Sequence, residues 1–388
     1  MMHSPLRHLG SILWKRRPIQ LTFFVTRKCN ARCPFCFYLA SAAPPAAPAP
    51  ELSLAEIERV ARSLGSLLWL AFSGGEPTLR RDLPEISRIF YQRNRPAILL
   101  LPTNGLLPEL IAEQTERILR ACEKSVVAVK LSLDGVGEAH DLLRGTPGGF
   151  AKVMQTYERL APLLARYPNF ELGVNTVFCR ANQERMDDIV DFVAGLKHVR
   201  AHTISLVRGE LADASHKQVD LGKYQRIAQR LGDELRRGVA PVYTFRGGRL
   251  KAAQDIVQRR LILRTARSRQ RLIDCYAGRL NLVLSETGEV YPCETRMQSL
   301  GNVRDHGYDL RAVMRSPPAR ETLASIARRE CACTHECYFI TNILFNPRLY
   351  PALAKEYLAL APAGRAQPDA GRGNAETARS ASTARTGS

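Results

Sequence analysis

Six times between residues 19 and 237 an apolar, strand-like run gives way to an amphipathic helical stretch, and this alternation restricts the fold more than any other feature. The runs cover 19–28, 67–73, 97–103, 125–133, 170–178 and 201–207. The helical stretches cover 53–65, 82–94, 108–122, 149–166, 182–197 and 220–237. Strand–helix units in series predict a parallel sheet with its helices outside. Ala97-Ile98-Leu99-Leu100-Leu101 is apolar on both faces, as a covered parallel strand has to be. In such α/β folds the chemistry collects at the carboxyl ends of the strands. The first run leads into Cys29-Asn30-Ala31-Arg32-Cys33-Pro34-Phe35-Cys36, the second into Ser73-Gly74-Gly75-Glu76-Pro77, and the third into Thr103-Asn104-Gly105. The fourth ends in Ser132-Leu133-Asp134-Gly135, the fifth near Asn175-Thr176 and the sixth near Val207-Arg208-Gly209. Any one of these is ordinary turn chemistry. Together they mark one rim of the sheet.

The cysteine loop adds chemistry to that rim. Three thiolates on one short loop can grip one face of an iron–sulfur cube, one ligand short of closing it. A zinc loop completed by a distant His or Cys is the alternative. The remaining cysteines group at 275, 293, 331, 333 and 337, with Cys122 and Cys179 isolated and read as small buried residues. The stretch Met1 to Arg17 has no signal-peptide pattern, so clustered cysteines read as metal ligands in a cytoplasmic protein rather than disulfides. Leu6 to Trp14 is predicted as a short amphipathic helix over one end of the domain. No apolar run reaches the roughly 18 residues of a spanning helix. The formal net charge of +19 fits either an anionic partner or solvated basic faces. Ala40 to Pro50 is a polyproline-like spacer, Ser53 and Glu56 form a capping box, and the chain after Pro362 is predicted to be disordered.

The set Cys29-x3-Cys33-x2-Cys36, Phe35 before the third cysteine, and Gly74-Gly75-Glu76-Pro77 after the second strand resembles the radical S-adenosylmethionine (radical SAM) superfamily over about residues 19–210. That resemblance implies an open, partial (β/α)6 barrel of the TIM type. Cys29, Cys33 and Cys36 would hold a [4Fe–4S] cluster whose fourth iron is chelated by S-adenosylmethionine. Gly74 and Gly75 would let the backbone approach the methionine part, and Glu76 would face its α-ammonium group. Asn104 would stand on the same rim. Ser132 and Asp134 would lie near the ribose or carboxylate, Arg144 would meet the cofactor carboxylate, and Leu206 and Val207 would flank the adenine. The chemistry implied is one-electron cleavage of the cofactor to a 5′-deoxyadenosyl radical, which takes a hydrogen atom from an unreactive carbon.

From Arg246 to Arg271 the chain is strongly basic and is predicted as a helix linking the barrel to a second domain. No stacking aromatics interleave there, so a solvated helix face is favoured over a nucleic-acid groove. Beyond it, Leu280 to Cys293 reads as a hairpin turning at Thr287-Gly288. Cys275-x12-Gly288-x4-Cys293, followed by Cys331-x-Cys333-x3-Cys337, resembles the SPASM and twitch auxiliary-cluster domains. A full SPASM domain has seven cysteines and two extra clusters. Five imply one auxiliary [4Fe–4S] cluster with a cysteine to spare. By that resemblance Cys275, Cys293 and Cys337 are ligands, with Cys331 or Cys333 as the fourth; a structural zinc site is the alternative.

The predicted division is an N-terminal extension (1–17), a barrel (18–238), a linker helix (239–272), an auxiliary-cluster domain (273–345) and a C-terminal extension (346–388). The expected activity is radical SAM chemistry on a small molecule, possible anionic character included, such as a sugar, cyclitol or lipid-linked precursor. A flavodoxin or ferredoxin would be the reductant. The short stretch before the first strand has no room for a peptide-binding winged domain, which weighs against the alternative, a ribosomal peptide substrate. A basic, zinc-stabilised nucleic-acid-binding protein is the alternative of another class, and the rim motifs argue against it. Tyr38, His202, Arg208 and Glu210 are further rim candidates without assigned roles.

Overall fold

The computed structural model describes residues 2–38 and 49–361. Most of the proline-rich spacer and the tail after Pro362 lie outside the described residues. Six strands follow the predicted order: β1 (Gln20–Thr26), β2 (Trp69–Gly74), β3 (Ile98–Thr103), β4 (Val126–Ser132), β5 (Phe170–Phe178) and β6 (Ala201–Leu206). Each pairs in parallel with the next. The helices between them, among them Leu54–Ser63, Leu83–Asn94, Pro108–Ala121, Gly149–Leu160 and Met186–Ala194, lie within a few residues of their predicted spans. Ser53 and Glu56 form the expected capping box. The N-terminal amphipathic segment is a 3-10 helix over Pro5–Ile12 rather than an α-helix.

Register aligns one face of these strands: Leu100, Ala128 and Glu171 at one level, Pro102, Lys130, Gly173 and Ala201 at the next, then Ser132, Asn175 and Thr203. On β3 and β4 these residues stay half-exposed, while the alternating Leu99, Leu101, Val127, Val129 and Leu131 are buried in the main core. Strand side chains alternate between faces. The helix-covered face is therefore packed, and the concave face borders an accessible lumen.

The auxiliary segment follows the barrel but is not separated from its sheet. Its strands β7 (Asn281–Leu284), β8 (Glu289–Tyr291) and β9 (Gly301–Asn302) continue the same sheet, in the order β6-β5-β4-β3-β2-β1-β7-β8-β9. β7 runs parallel to β1, and β7 and β8 form the predicted hairpin. Gly288 takes φ +95° at its turn, where a Cβ would stand 2.8 Å from Asn302 Oδ1. The two parts are also bonded side to side, by Leu52 N to Glu286 O and by Arg304 Nε to Glu56 at 2.8 Å.

The basic helix, Gly248–Ser268, is not a solvated face either. It packs against Leu221–Arg237, Glu336–Leu344 and Tyr350–Ala359, and most of one side is buried. Its arginines meet acceptors that other elements leave open. Arg249 donates to the carbonyls of Tyr357, Leu360 and Ala361, and Arg260 pairs with Glu356. Much of the basic charge in this stretch thus caps helix ends and satisfies buried carboxylates.

Candidate active site

The cysteine loop leaves β1 and crosses the end of β2. Gly74 and Gly75 have a steric reason for being glycine, and it is the chain itself. A Cβ on Gly74 would fall 2.3 Å from Thr26 O, and one on Gly75 would fall 2.0 Å from Lys28 O. The close approach brings Gly75 N to Thr26 O and Glu76 N to Lys28 O, both at 2.9 Å. These glycines seat the loop carrying Cys29.

Glu76 follows the two glycines. Its carboxylate is 1% exposed and is occupied by the protein. Oε1 accepts from Thr78 Oγ1 at 2.7 Å, Thr103 Oγ1 at 2.8 Å and Thr78 N at 3.3 Å; Oε2 accepts from Asn104 N at 2.7 Å. Burial pushes this carboxyl above the usual range, and the four donors oppose that rise. Glu76 ties the end of β2 to the end of β3. It thereby fixes Asn104, whose Nδ2 donates to Asn30 Oδ1 at 2.7 Å and lies 3.9 Å from Cys29 Sγ.

Cys29, Cys33 and Cys36 are free and half-buried. Burial pushes the Cys33 thiol up to about 11, with the neighbouring Arg144 guanidinium opposing and the Cys36 and Cys29 charges adding to the rise. Arg144 lies on Glu138–Arg144, a short helix outside the predicted set. Its Nη1 donates to Asp134 Oδ2 at 2.6 Å, while Asp134 Oδ1 accepts from Val177 N at 2.6 Å. Burial works against the Arg144 charge, but Cys33 and Asp134 outweigh it and hold its pKa up. The two residues predicted to meet the cofactor separately are thus one ion pair beside the cysteine loop. Ser132 is half-exposed on the lumen, one level above Lys130. Phe35 and Val207 pack together over buried Cys179, with Cys33 against them. Leu206 does not flank this site: its side chain belongs to the main core.

The second cysteine group gathers beside the β7–β8 hairpin. Cys275, Cys293, Cys331 and Cys333 act on one another. Burial pushes Cys333 up to about 12, and the charges of Cys275, Cys293 and Cys331 add to it. Burial likewise raises Cys293 to about 11, with Cys275 contributing. Cys337 packs against the same apolar cluster as Cys275, Cys293 and Cys331, and its Sγ also lies within 4.8 Å of a Glu294 oxygen and a His335 nitrogen. His335 Nε2 is 2.7 Å from Glu294 Oε2 and 3.3 Å from Arg208 Nη2, and Arg208 Nη1 donates to Glu336 Oε2 at 2.9 Å. Glu336 Oε1 in turn accepts from Leu206 N at 3.0 Å. This buried ionic group joins the end of β6 to the auxiliary segment. Sequence reading singled out Arg208 and Cys337 from it; the adjacency of Glu294 to Cys293 and of Glu336 to Cys337 was the available signal for the two glutamates. Of the other rim candidates, Tyr38 donates to Glu286 at 2.5 Å, and Glu210 is exposed.

The donor sets fit iron–sulfur clusters. Three thiols share one loop whose neighbours are a guanidinium and an amide, and four more converge beside the β7–β8 hairpin. Comparison with known proteins agrees with that fit. Residues 23–193 match the family model of the radical SAM superfamily, and residues 275–338 match SPASM, an iron–sulfur cluster-binding domain. The chain belongs to the radical SAM superfamily and is an enzyme. Its cofactors are S-adenosylmethionine, the [4Fe–4S] cluster that binds it, and auxiliary iron–sulfur chemistry in the SPASM segment. It is 29% identical over 305 residues to the AdoMet-dependent heme synthase of Methanosarcina barkeri, covering 75% of this chain and 81% of that one. It is 26% identical over 316 residues to the subtilosin bacteriocin biosynthesis protein AlbA of Bacillus subtilis, covering 77% and 60%. Its fold is similar to that of Streptococcus suis SuiB bound to the precursor peptide SuiA, with TM-score 0.53 at 16% identity over 82% of this chain and 70% of that one. No helix among the described residues is long and apolar enough to cross a membrane.

Proposed function

We propose that this enzyme abstracts a hydrogen atom from a side chain of a ribosomally made peptide admitted to the lumen. The observation that carries this reading is the accessible row Leu100, Pro102, Ala128, Lys130, Ser132 and Thr203. Together these positions form a trough that leads up to the cysteine loop. Similarity to the bacteriocin biosynthesis protein over most of this chain supports a peptide over a sugar, cyclitol or lipid-linked precursor. Cys29, Cys33 and Cys36 would hold the cluster, and Cys275, Cys293, Cys331 and Cys333 the auxiliary one. When bound, the first cluster and S-adenosylmethionine supply a 5′-deoxyadenosyl radical by one-electron reduction, with flavodoxin or ferredoxin as electron source. The chain's own part is placement. Glu76 fixes the loop through Asn104, the Asp134–Arg144 pair sets a cation beside Cys33, and Phe35 with Val207 forms an apolar wall.

A second reading is favoured by the similarity to heme synthase, which spans most of both chains. In it the substrate is a carboxylated tetrapyrrole. One experiment separates the two. Reconstituted enzyme, S-adenosylmethionine and dithionite are incubated anaerobically with any short peptides found encoded near this gene, with a sugar control and, separately, with iron-coproporphyrin III. A mass loss of hydrogen or a new cross-link in a peptide supports the first reading; loss of carbon dioxide from the porphyrin supports the second. Turnover of a sugar alone would sink both.

A further inference from the structure

We propose that Lys130 and Arg259 form a carboxylate-binding subsite low in the lumen, which anchors an anionic group of the substrate while the reacting carbon stands above it. The proposal rests on the lumen being the substrate channel, as in the function proposed above. Lys130 sits two residues below Ser132 on β4, about 7 Å along the strand. Its side chain crosses the lumen over Gly173, where a Cβ would lie 2.8 Å from Nζ and 2.9 Å from Cδ. The glycine leaves the path that the lysine occupies.

The ammonium is enclosed but poorly matched. Its polar contacts are Thr203 Oγ1 at 3.2 Å and Ala201 O at 3.4 Å, both neutral, with the Tyr243 ring centroid 5.8 Å away. Among the described residues no carboxylate oxygen lies within the 4.0 Å of an ion pair. Buried charges are normally paired, and one left unpaired raises the question of its partner. Arg259, on Gly248–Ser268, has the same deficit. Its Nη2 donates to His202 O at 3.5 Å, while its buried Nη1 has no partner.

The surrounding groups do not cancel this charge. Lys251 pairs with Asp255, which also accepts from Tyr243 Oη at 3.2 Å. Glu171 turns Oε1 to Thr244 N and Oγ1 at 2.7 and 2.5 Å, and its Oε2 has no partner. Burial, with Lys130 and Arg259 adding, drives His202 down to about 3, so it is neutral near pH 7. Three cations against two carboxylates leave one net positive charge, with open donors on Lys130 and Arg259. Burial and Lys251 together hold the Lys130 pKa down at about 8, so it is still mostly charged near pH 7. A carboxylate supplies what both donors lack: a negative charge and two acceptor oxygens. A peptide Asp or Glu and a porphyrin propionate share that chemistry.

The test uses reconstituted holoenzyme under anaerobic conditions and fluorescence anisotropy. One probe pair is coproporphyrin III and its tetramethyl ester. The other is a fluorescein-labelled glutamate-rich peptide and its glutamine counterpart. At least one acid probe is expected to bind about tenfold more tightly than its neutral partner, the difference one charge-assisted hydrogen bond makes. Whichever pair shows it names the carboxylate's source. Lys130→Met and Arg259→Met should each erase the preference, and Lys130→Arg, which keeps the charge, should retain most of it. Iron content and far-UV circular dichroism confirm that each variant is folded. No preference in either pair, or a preference that survives Lys130→Met, would overturn the proposal. Wild-type protein that releases no 5′-deoxyadenosine would instead remove the functional reading and leave the binding result standing.

Discussion

Glutamine at position 76 is the sharpest probe of how the rim is built. Glu76→Gln keeps the shape and removes one acceptor oxygen. If the new amide nitrogen takes the Oε2 position, Asn104 N loses its 2.7 Å acceptor; if it takes Oε1, Thr78 N and two hydroxyls lose theirs. The first orientation leaves the fewest orphans. A buried donor without an acceptor costs about 1–3 kcal/mol, and hydrogen bonds that no longer end on a charge lose about 1 kcal/mol each. Relief of the desolvated charge offsets part of this, since burial already raises the Glu76 pKa. The net is about 2–3 kcal/mol. For a chain this long it lowers the midpoint of thermal unfolding by about 2–4 °C. Circular dichroism at 222 nm, at fixed scan rate on cluster-loaded enzyme without S-adenosylmethionine, reads it directly. Cofactor affinity, measured separately by calorimetry, should fall only as far as Asn104 and Cys29 are displaced. An unchanged midpoint together with a large loss of S-adenosylmethionine affinity would refute the reasoning and return the carboxylate to the cofactor's ammonium.

Three further outcomes are expected. Replacing Cys29, Cys33 and Cys36 together by Ala should abolish release of 5′-deoxyadenosine under dithionite while about four irons remain on the second group, as measured by colorimetric iron analysis. Single Ala variants of Cys275, Cys293, Cys331 or Cys333 should each lose about four of eight irons, whereas Cys337→Ala should keep all eight; iron loss in the Cys337 variant would restore the assignment that its spacing suggested. Carboxylate affinity at the lumen should be full near pH 7 and weaken as pH rises through about 8, because Lys130 loses its proton there. Glu171, Asp255, Lys251 and Arg259 face the same site. An affinity flat from pH 7 to 9 would assign the effect to Arg259 alone.

Much of this enzyme is written locally. The strand–helix rhythm can be read from the chain because burial on a helix-covered sheet demands continuous apolar runs such as Ile98 to Leu101, and local propensity agrees with it. The cysteine loop is readable for a related reason. A cluster ligated from one short segment needs its ligands at short spacing, so Cys29, Cys33 and Cys36 reveal themselves without the fold. The hairpin turn at Gly288 is equally local, since a positive φ there calls for glycine. What escaped are assignments that depend on distant partners. That Gly74 and Gly75 seat the cysteine loop is not visible until the backbone of Thr26 and Lys28 is laid across them. Glu76 looks like a free anion until β3 delivers Thr103 and Asn104 to it from 27 and 28 residues away.

The same division separates the cysteines of the C-terminal third. Spacing alone favours Cys337, but β7 pairing with β1 sets where the segment lies, and the chain then places Cys337 beside Glu294 and His335. The sequence by itself determined the class of fold, the position of the rim and the three-cysteine loop, because each depends on side chains within one turn or one strand of each other. Only the tertiary structure decided which polar groups are already satisfied and which are left open, as Lys130 and Arg259 are. Hydrogen bonding and charge pairing are settled by neighbours in space, and those neighbours come from far along the chain.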